Sequence, residues 1–226
     1  MNVLAIAHRA GNSLAGLATA NDLGVDVIEC DVHRHRGRLE VRHLKTAGPL
    51  PFLWDRWELV AASAPRLGLA ELLAADRHGA TFMLDLKGRD RRTSRAVAGL
   101  LHEVGHSRPL LACGRWWPTV DALATDLDFV RPVLSARTRG ELLRLRRRLA
   151  TGPAPFGVSV HMSLLDAGLV AELHGHVERV LTWPVNDHDV LEAVLGCGVS
   201  GVISDDAEVL AQVVALRDRG APREAR

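Results

Sequence analysis

Residues 27–32 read Val27-Ile28-Glu29-Cys30-Asp31-Val32, an apolar run that carries two carboxylates two positions apart. A short apolar run of this kind predicts a β-strand that is buried on both faces, as strands of parallel sheets are. Side chains alternate between the faces of a strand, so Glu29 and Asp31 share one face. Neighbouring carboxylates in an apolar strand repel each other and lose hydration. A divalent cation relieves both costs because carboxylate oxygens are its preferred ligands; a nearby arginine is the alternative.

Strands of the same kind recur along the chain and alternate with helical patterns. Eight β–α units in 226 residues leave little room for a second domain. The sequence therefore predicts a single domain over residues 1–226, of the α/β class, folded as a (βα)8 TIM barrel. An open doubly wound sheet is the alternative, but no Gly-x-Gly-x-x-Gly motif follows the first strand. The predicted strands are Leu4–His8, Val27–Val32, Thr81–Leu86, Pro109–Cys113, Val130–Leu134, Gly157–His161, Arg179–Val185 and Gly201–Ser204.

One connection is much longer than the others and predicts a small insertion between strand 2 and helix 2. It runs over about Arg34–Leu67 and contains an extra predicted strand, Leu39–His43. Connections of this length are usually functional or disordered. The aromatic residues here, among them Trp54 and Trp57, argue against disorder. They form either an apolar lid or lipid-facing rim, or only the packing of a long loop.

Polar residues follow several predicted strands at the end of the barrel where active sites form. The third strand ends in Asp85-Leu86-Lys87, so Asp85 adds a third carboxylate and Lys87 can reach a phosphate. A buried Asp–Lys ion pair is the alternative for this strand alone. His8 and His43 end the first strand and the extra strand, and two histidines beside a metal-held phosphate suit acid–base catalysis near neutral pH. Read singly, each histidine is an ordinary surface residue.

The composition sets limits on partners and location. The net charge of +1 gives no global field for nucleic acid or an anionic membrane, so neither partner is expected. Three cysteines without a CxxC pair predict neither a disulfide framework nor a cysteine zinc site. The first residues lack the pattern of a signal peptide, and no run is long and apolar enough for a transmembrane segment. The expected location is cytoplasmic.

The order of the motifs resembles the glycerophosphodiester phosphodiesterase family. That family opens with His-Arg-Gly, continues to Gly-Ala-Asp-x-Ile-Glu-x-Asp-Val, and then shows His-Asp and Glu-x-Lys. Its C-terminal half carries Trp-Thr-Val-Asn and Gly-Val-Asp-Gly-Ile-Ile-Thr-Asp. The corresponding stretches here are His8–Gly11, Gly24–Val32, Leu39–His43, Asp85–Lys87, Thr182–Asp187 and Gly198–Asp205.

The resemblance implies a (βα)8 barrel that hydrolyses glycerophosphodiesters, a small-molecule substrate class, to an alcohol and glycerol phosphate. It also implies a role for each matching position. One Mg2+ or Ca2+ ion would be held by three carboxylates, two histidines would be the acid–base pair, and three further residues would contact the phosphate and the alcohol. These are Glu29, Asp31 and Asp85 for the metal, His8 and His43 for catalysis, and Arg9, Lys87 and Trp183 for the substrate.

The chain departs from the family pattern at four points. The Pro-Glu-Asn-Thr segment is reduced to Asn12-Ser13, and Leu44 replaces the aspartate after the histidine. Asp85 replaces glutamate, as in the related sphingomyelinase D-type phospholipases, and Ala10 replaces glycine. Two alternatives therefore stay open: a phospholipase D-like enzyme that leaves a cyclic phosphate, and a non-catalytic barrel that binds a phosphorylated metabolite.

Two further features are interpreted without reference to catalysis. The run Arg144–Arg148 on the fifth predicted helix is expected to be a solvated face. The pair Trp116-Trp117 either caps the barrel or contacts a partner.

Overall fold

The computed structural model describes residues 3–47, 50–55 and 58–220. Twelve strands and eight α-helices lie within these ranges, together with short 3-10 helices at Ala10–Asn12 and Met162–Leu164. The strands are β1 (Leu4–Ala7), β2 (Val27–His35), β3 (Arg38–Val41), β4 (Lys45–Thr46), β5 (Phe52–Trp54), β6 (Leu59–Ala61), β7 (Thr81–Leu86), β8 (Leu110–Gly114), β9 (Val130–Ala136), β10 (Gly157–His161), β11 (Arg179–Trp183) and β12 (Gly201–Ser204). The helices are α1 (Leu14–Leu23), α2 (Leu69–Ala75), α3 (Arg92–Glu103), α4 (Trp117–Asp126), α5 (Arg139–Thr151), α6 (Ala167–His174), α7 (His188–Gly196) and α8 (Ala207–Gly220).

Eight parallel strands close into a barrel, as the sequence predicted. The hydrogen-bonded order is β1-β12-β11-β10-β9-β8-β7-β2, and β1 also pairs with β2, which closes the ring. In the pairing of β2 with β7, Asp31 lies directly opposite Asp85. Helices alternate with these strands along the chain and cover the barrel from outside. The fold is an α/β TIM barrel.

The alternation of side chains along β2 explains where its carboxylates point. Ile28, Cys30 and Val32 belong to the large apolar cluster between the barrel and its helices. Val27 belongs to a second, smaller cluster inside the barrel, with Met83 among its members. Because side chains two apart share a face, Glu29 and Asp31 point into the barrel with Val27.

The insertion after β2 contains more regular structure than the sequence indicated. β2 continues to His35 and forms an antiparallel hairpin with β3 through a turn at Arg36 and Gly37, which have φ values of 47° and 83°. Two successive positive φ values are typical of the turns that join twisted hairpin strands. The predicted strand Leu39–His43 was wrong at its end, since β3 stops at Val41.

A separate three-stranded antiparallel sheet of β4, β5 and β6 was not predicted from the sequence. These strands have two or three residues each, which is too short for an alternation pattern to be recognised. Leu53, in the middle strand β5, is buried, whereas its neighbours Phe52 and Trp54 are exposed. Trp57, which the sequence grouped with them, lies outside the described residues.

The remaining strand predictions differ from the structure only at their ends. Thr81–Leu86, Gly157–His161 and Gly201–Ser204 match the observed strands. His8 follows β1 rather than ending it, although its N–H still donates to the carbonyl of Ser204 at 2.8 Å. Within the described ranges, no helix is long and apolar enough to cross a bilayer.

Candidate active site

The carboxyl ends of the barrel strands surround a cavity of about 570 Å³. A volume of this size suits a small organic ligand. The site residues that the sequence predicted come from the ends of four barrel strands and from the insertion, yet all of them line this cavity. They are His8, Arg9, Glu29, Asp31, His43, Asp85, Lys87 and Trp183.

Three carboxylates converge at the floor of the cavity. Glu29, Asp31 and Asp85 each offer an oxygen, and these atoms lie within 4.8 Å of one another. Glu29 and Asp31 are buried. Burial raises the pKa of Glu29 to about 8, and the neighbouring charge of Asp31 adds to the increase. A cluster of hard oxygen donors whose charges oppose one another fits a divalent cation such as Mg2+ or Ca2+.

Lys87 is the cation that contacts this cluster directly. Its ammonium group forms ion pairs with Asp31 and Asp85, so the Asp–Lys pair that the sequence left as an alternative does occur. Burial alone would raise the pKa of Asp31. The charge of Lys87 and its hydrogen bond outweigh burial and hold that pKa below its usual range. Lys87 supplies one positive charge and the Arg9 guanidinium, 3.9 Å from Asp31 Oδ2, supplies a second, so the three carboxylates still outnumber the cations in ion-pair contact with them. The donor set therefore still fits a divalent ion.

The turn after β1 supports two of these carboxylates. The backbone N–H of Arg9, which has a φ of 56°, donates to Glu29 Oε2 at 2.6 Å. The side-chain amide of Asn12 donates to Asp31 Oδ2, and its oxygen accepts from the N–H of Asp31, both at 2.8 Å. The sequence treated Asn12 only as the remnant of a shortened motif. No spacing rule links it to Asp31, which is 19 residues later.

His43 lies between a carboxylate and a guanidinium group. Its Nδ1 contacts Asp55 Oδ2, and its Nε2 lies 2.8 Å from the Arg9 guanidinium. Arginine can only donate, so Nε2 accepts and the Nδ1–H donates to Asp55. The insertion thus supplies a carboxylate partner where the sequence, with Leu44 after His43, predicted that none remained.

His8 has its own carboxylate partner. Its Nδ1 lies 2.9 Å from Asp205 Oδ2, and Asn186 holds the N–H of Asp205 through its amide oxygen at 2.9 Å. Burial alone would lower the pKa of His8, but the hydrogen bond to Asp205 and the charge of Glu29 raise it overall. The C-terminal motifs that contain Asn186 and Asp205 indicated the family resemblance but no role for either residue.

Trp183 ends β11 at the rim, two residues before the predicted end of this strand, and is half-buried. It packs edge-on against His161, with ring centroids 5.1 Å apart. A further histidine, His33 on β2, lies near this rim. His33 also lines the cavity, but burial and the charge of Arg42 lower its pKa to about 3, which keeps its ring neutral.

The fold and the site together define a (βα)8 barrel that has converging carboxylates and two histidines, each with an aspartate partner, at the carboxyl ends of its strands. Similar solved structures include a phosphodiesterase from Oleispira antarctica in complex with the product sn-glycerol-3-phosphate (18% identity, 93% of this chain and 96% of that chain, TM-score 0.73). Glycerophosphodiester phosphodiesterases from Parabacteroides distasonis (18%, 96% and 98%, TM-score 0.71) and Thermotoga maritima (16%, 94% and 99%, TM-score 0.71) are also similar.

At these identities the likeness establishes a common fold. The chain therefore has the barrel fold of glycerophosphodiester phosphodiesterases, which confirms the resemblance inferred from its motifs at that level. No protein-family model matches the chain. No curated protein matches it either.

Proposed function

We propose that this protein is a metal-dependent phosphoric diester hydrolase that converts glycerophosphodiesters to an alcohol and glycerol phosphate. The observation that carries the proposal is the meeting of three carboxylates and two histidines in one cavity, each histidine with its own aspartate. Glycerophosphodiesters are the deacylated backbones of membrane lipids, so the reaction would belong to lipid metabolism.

Glu29, Asp31 and Asp85 would hold one Mg2+ or Ca2+ ion. A bound divalent ion orients a phosphodiester and offsets the charge that builds on its oxygens. Lys87 would then release part of its contact with Asp31 and Asp85 and turn its ammonium group to a phosphate oxygen. Arg9 lies beside both His43 and the carboxylates and would bind a second phosphate oxygen.

His43 is suited to be the general base. Its Nε2 carries a lone pair in the neutral tautomer that Asp55 and Arg9 favour. In the first step Nε2 would take the proton of the substrate hydroxyl next to the phosphate as that oxygen attacks phosphorus. The imidazolium that forms is stabilised by Asp55.

His8 is suited to be the general acid. Its pKa is raised, so the ring is protonated at a higher pH than an ordinary histidine. It would give its proton to the alcohol oxygen as the bond from that oxygen to phosphorus breaks. The products of this step are the free alcohol and a cyclic phosphate. Water would open the cyclic phosphate with the two histidines in exchanged roles, which restores both to their starting state.

The test uses 31P NMR on purified protein with Mg2+ or Ca2+ and glycerophosphocholine or glycerophosphoethanolamine. We expect glycerol phosphate to accumulate and EDTA to stop the reaction. His8→Ala and His43→Ala should each remove turnover while the circular dichroism spectrum and melting temperature stay near those of the parent. His188→Ala, which changes an exposed histidine on α7, is the matched control and should remain active. The proposal is wrong if no diester is turned over with either metal.

A phospholipase D-like reaction that stops at the cyclic phosphate is the second candidate. Asp85, one methylene shorter than glutamate, and the exposed Phe52 and Trp54 of the insertion favour it. The same 31P spectra separate the two, because a cyclic five-membered phosphate resonates well away from an open monoester. The non-catalytic alternative was motivated by the shortened Pro-Glu-Asn-Thr segment and by Leu44, and the contact of Asp55 with His43 weakens the second motive.

Location in the cytoplasm and a single domain over residues 1–226 stay predictions from the sequence. Cys30 and Cys113 are buried free thiols, which agrees with a reducing compartment.

A further inference from the structure

Four arginines line the part of the cavity that the proposed reaction does not use. They come from four segments: Arg89 after β7, Arg115 after β8, Arg137 after β9 and Arg144 on α5. In the ring of strands β9 lies across the barrel from β1, which carries His8. We call these four residues the arginine wall. The sequence expected Arg144 to belong to a solvated face; its side chain is indeed exposed, and it also lines the mouth of the cavity.

The wall is built around one buried carboxylate. Glu141 Oε1 accepts from Arg115 Nε at 3.0 Å, and Oε2 accepts from the backbone N–H groups of Arg137 and Thr138 at 2.8 and 3.1 Å. Burial opposes the ionisation of Glu141, but these hydrogen bonds hold its pKa below the usual range. Glu141 is therefore an anion that fixes Arg115 and caps α5.

The two tryptophans that the sequence left unassigned lie beneath two of the arginines. The Arg89 guanidinium lies 5.5 Å from the ring centre of Trp116, and that of Arg144 lies 6.0 Å from Trp117. Trp117 is itself held by a hydrogen bond from Nε1 to the carbonyl of Ser135 at 3.0 Å. Stacking of this kind orients a guanidinium while it leaves the N–H donors free for a ligand.

The positive charge of the wall exceeds its negative charge. Glu141 neutralises Arg115 and lies 3.9 Å from Arg144. An ion pair requires a distance of at most 4.0 Å between nitrogen and oxygen. Among the residues that the structure describes, no carboxylate lies this close to the guanidinium of Arg89 or Arg137. The charge of Arg137 also affects His161 at the rim of the cavity. Burial lowers the pKa of His161, and the positive charge of Arg137 lowers it further. The wall thus offers guanidinium groups that a ligand anion can bind.

We propose that the arginine wall binds a second phosphate, carried by the alcohol portion of the diester. This inference rests on the proposed function and names its substrate class. The scissile phosphate would lie at the carboxylates, and the alcohol would extend across the cavity to Arg137 and Arg144. A guanidinium matches a phosphate with two parallel hydrogen bonds. A cationic alcohol such as choline would gain no such contact and would be turned over without help from the wall.

The test compares two substrates that differ only in this group, glycerophosphoinositol and glycerophosphoinositol 4-phosphate. We expect kcat/KM to be about tenfold higher for the phosphorylated substrate, because one charged hydrogen-bonded contact increases binding affinity by about that factor. The preference should decline as NaCl increases, because the wall is exposed to solvent. Turnover of both substrates at equal kcat/KM would overturn the inference and leave the proposed function intact.

Arg137→Gln and Arg144→Gln should each remove most of the preference through KM and leave kcat/KM for glycerophosphoinositol unchanged. Arg147→Gln, which removes an arginine of α5 that does not line the cavity, is the matched control and should keep the preference. Calorimetry with inositol 4-phosphate in EDTA gives a readout that needs no turnover. The wild type should bind it more tightly than the Arg137→Gln/Arg144→Gln double variant, and equal affinity would contradict the inference even if no diester is hydrolysed.

Discussion

Asp55 accepts a hydrogen bond from Nδ1 of His43, twelve residues earlier in the chain. Leu44 stands where the resembling family has the aspartate that follows this histidine. The carboxylate is thus supplied by the insertion, from the segment that follows β5, rather than by the next residue. The contact fixes the tautomer of His43 and leaves Nε2 as the proton acceptor toward Arg9.

Asp55→Asn should lower kcat by about tenfold or more, because an oriented general base contributes roughly 10²-fold to 10⁴-fold and the amide no longer stabilises its protonated form. KM should change little, since Asp55 does not line the cavity. Steady-state kinetics on glycerophosphocholine check this. Glu58→Gln, an exposed change on the same insertion, is the control. If Asp55→Asn has the same kcat as the parent protein, the hydrogen bond between His43 and Asp55 has no part in catalysis.

Asp205→Asn should move the alkaline limit of activity to lower pH. The carboxylate raises the pKa of His8 against the effect of burial, with help from Glu29 and opposition from Arg9. His8 acts protonated in our account, so activity is lost as pH rises through its pKa. Without Asp205 that pKa falls, and the loss begins earlier. A pH profile of kcat checks the shift, with the exposed Glu208→Gln as control; an unmoved alkaline limb would contradict the assignment of His8 as the acid.

Mg2+ or Ca2+ should stabilise the folded protein. At a concentration 100 times its Kd, an ion that binds only the native state adds about 2.7 kcal/mol, which for a chain of this length is an increase in Tm of about 5 to 10 °C. Asp85→Asn removes one of three converging ligands and should reduce the increase. Thermal melts with each ion and with EDTA measure it. Asp126→Asn, at the end of α4, is the control. Equal shifts in both variants would mean that the ion binds elsewhere.

Gly11→Ala should destabilise the turn that carries Arg9 and Asn12. A Cβ at Gly11 would lie 2.8 Å from Cys30 Cβ and 3.2 Å from the carbonyl of Glu29. Overpacking of this kind costs about 1–3 kcal/mol. Gly99→Ala on α3 meets nothing within 4 Å and should be neutral or slightly stabilising. Urea unfolding of both variants provides the comparison. If the Gly11→Ala protein is as stable as the parent, the atoms around position 11 move apart at no cost in folding free energy, and the prediction is wrong.

The sequence predicted the barrel and the convergence of the carboxylates because both follow from short-range rules. Strand alternation puts Glu29 and Asp31 on one face, and the carboxyl ends of parallel strands meet at one end of the barrel. Prediction failed where contacts join distant segments. Neither the aspartate behind His43 nor the one behind His8 has a fixed spacing to its histidine, and each contact depends on how a loop folds.

The arginine wall was missed for a different reason. In an arginine-rich chain, an arginine on a loop or helix is ordinarily a solvated residue, and nothing in the sequence near Arg144 contradicts that interpretation. A usable signal was present in the strands: Cys113 and Val133 line the barrel interior, and Arg115 and Arg137 stand at an even spacing from them, directly after the ends of β8 and β9.

The central claim is that Glu29, Asp31 and Asp85 bind one divalent ion beside His8 and His43. The most direct measurement is an anomalous difference map from a crystal soaked in Mn2+, a scattering substitute for Mg2+. Our account predicts one strong peak within about 2.6 Å of an oxygen from each of the three carboxylates, with the ammonium group of Lys87 moved away from Asp31. A map without that peak, in which Lys87 still pairs with Asp31 and Asp85, would contradict it.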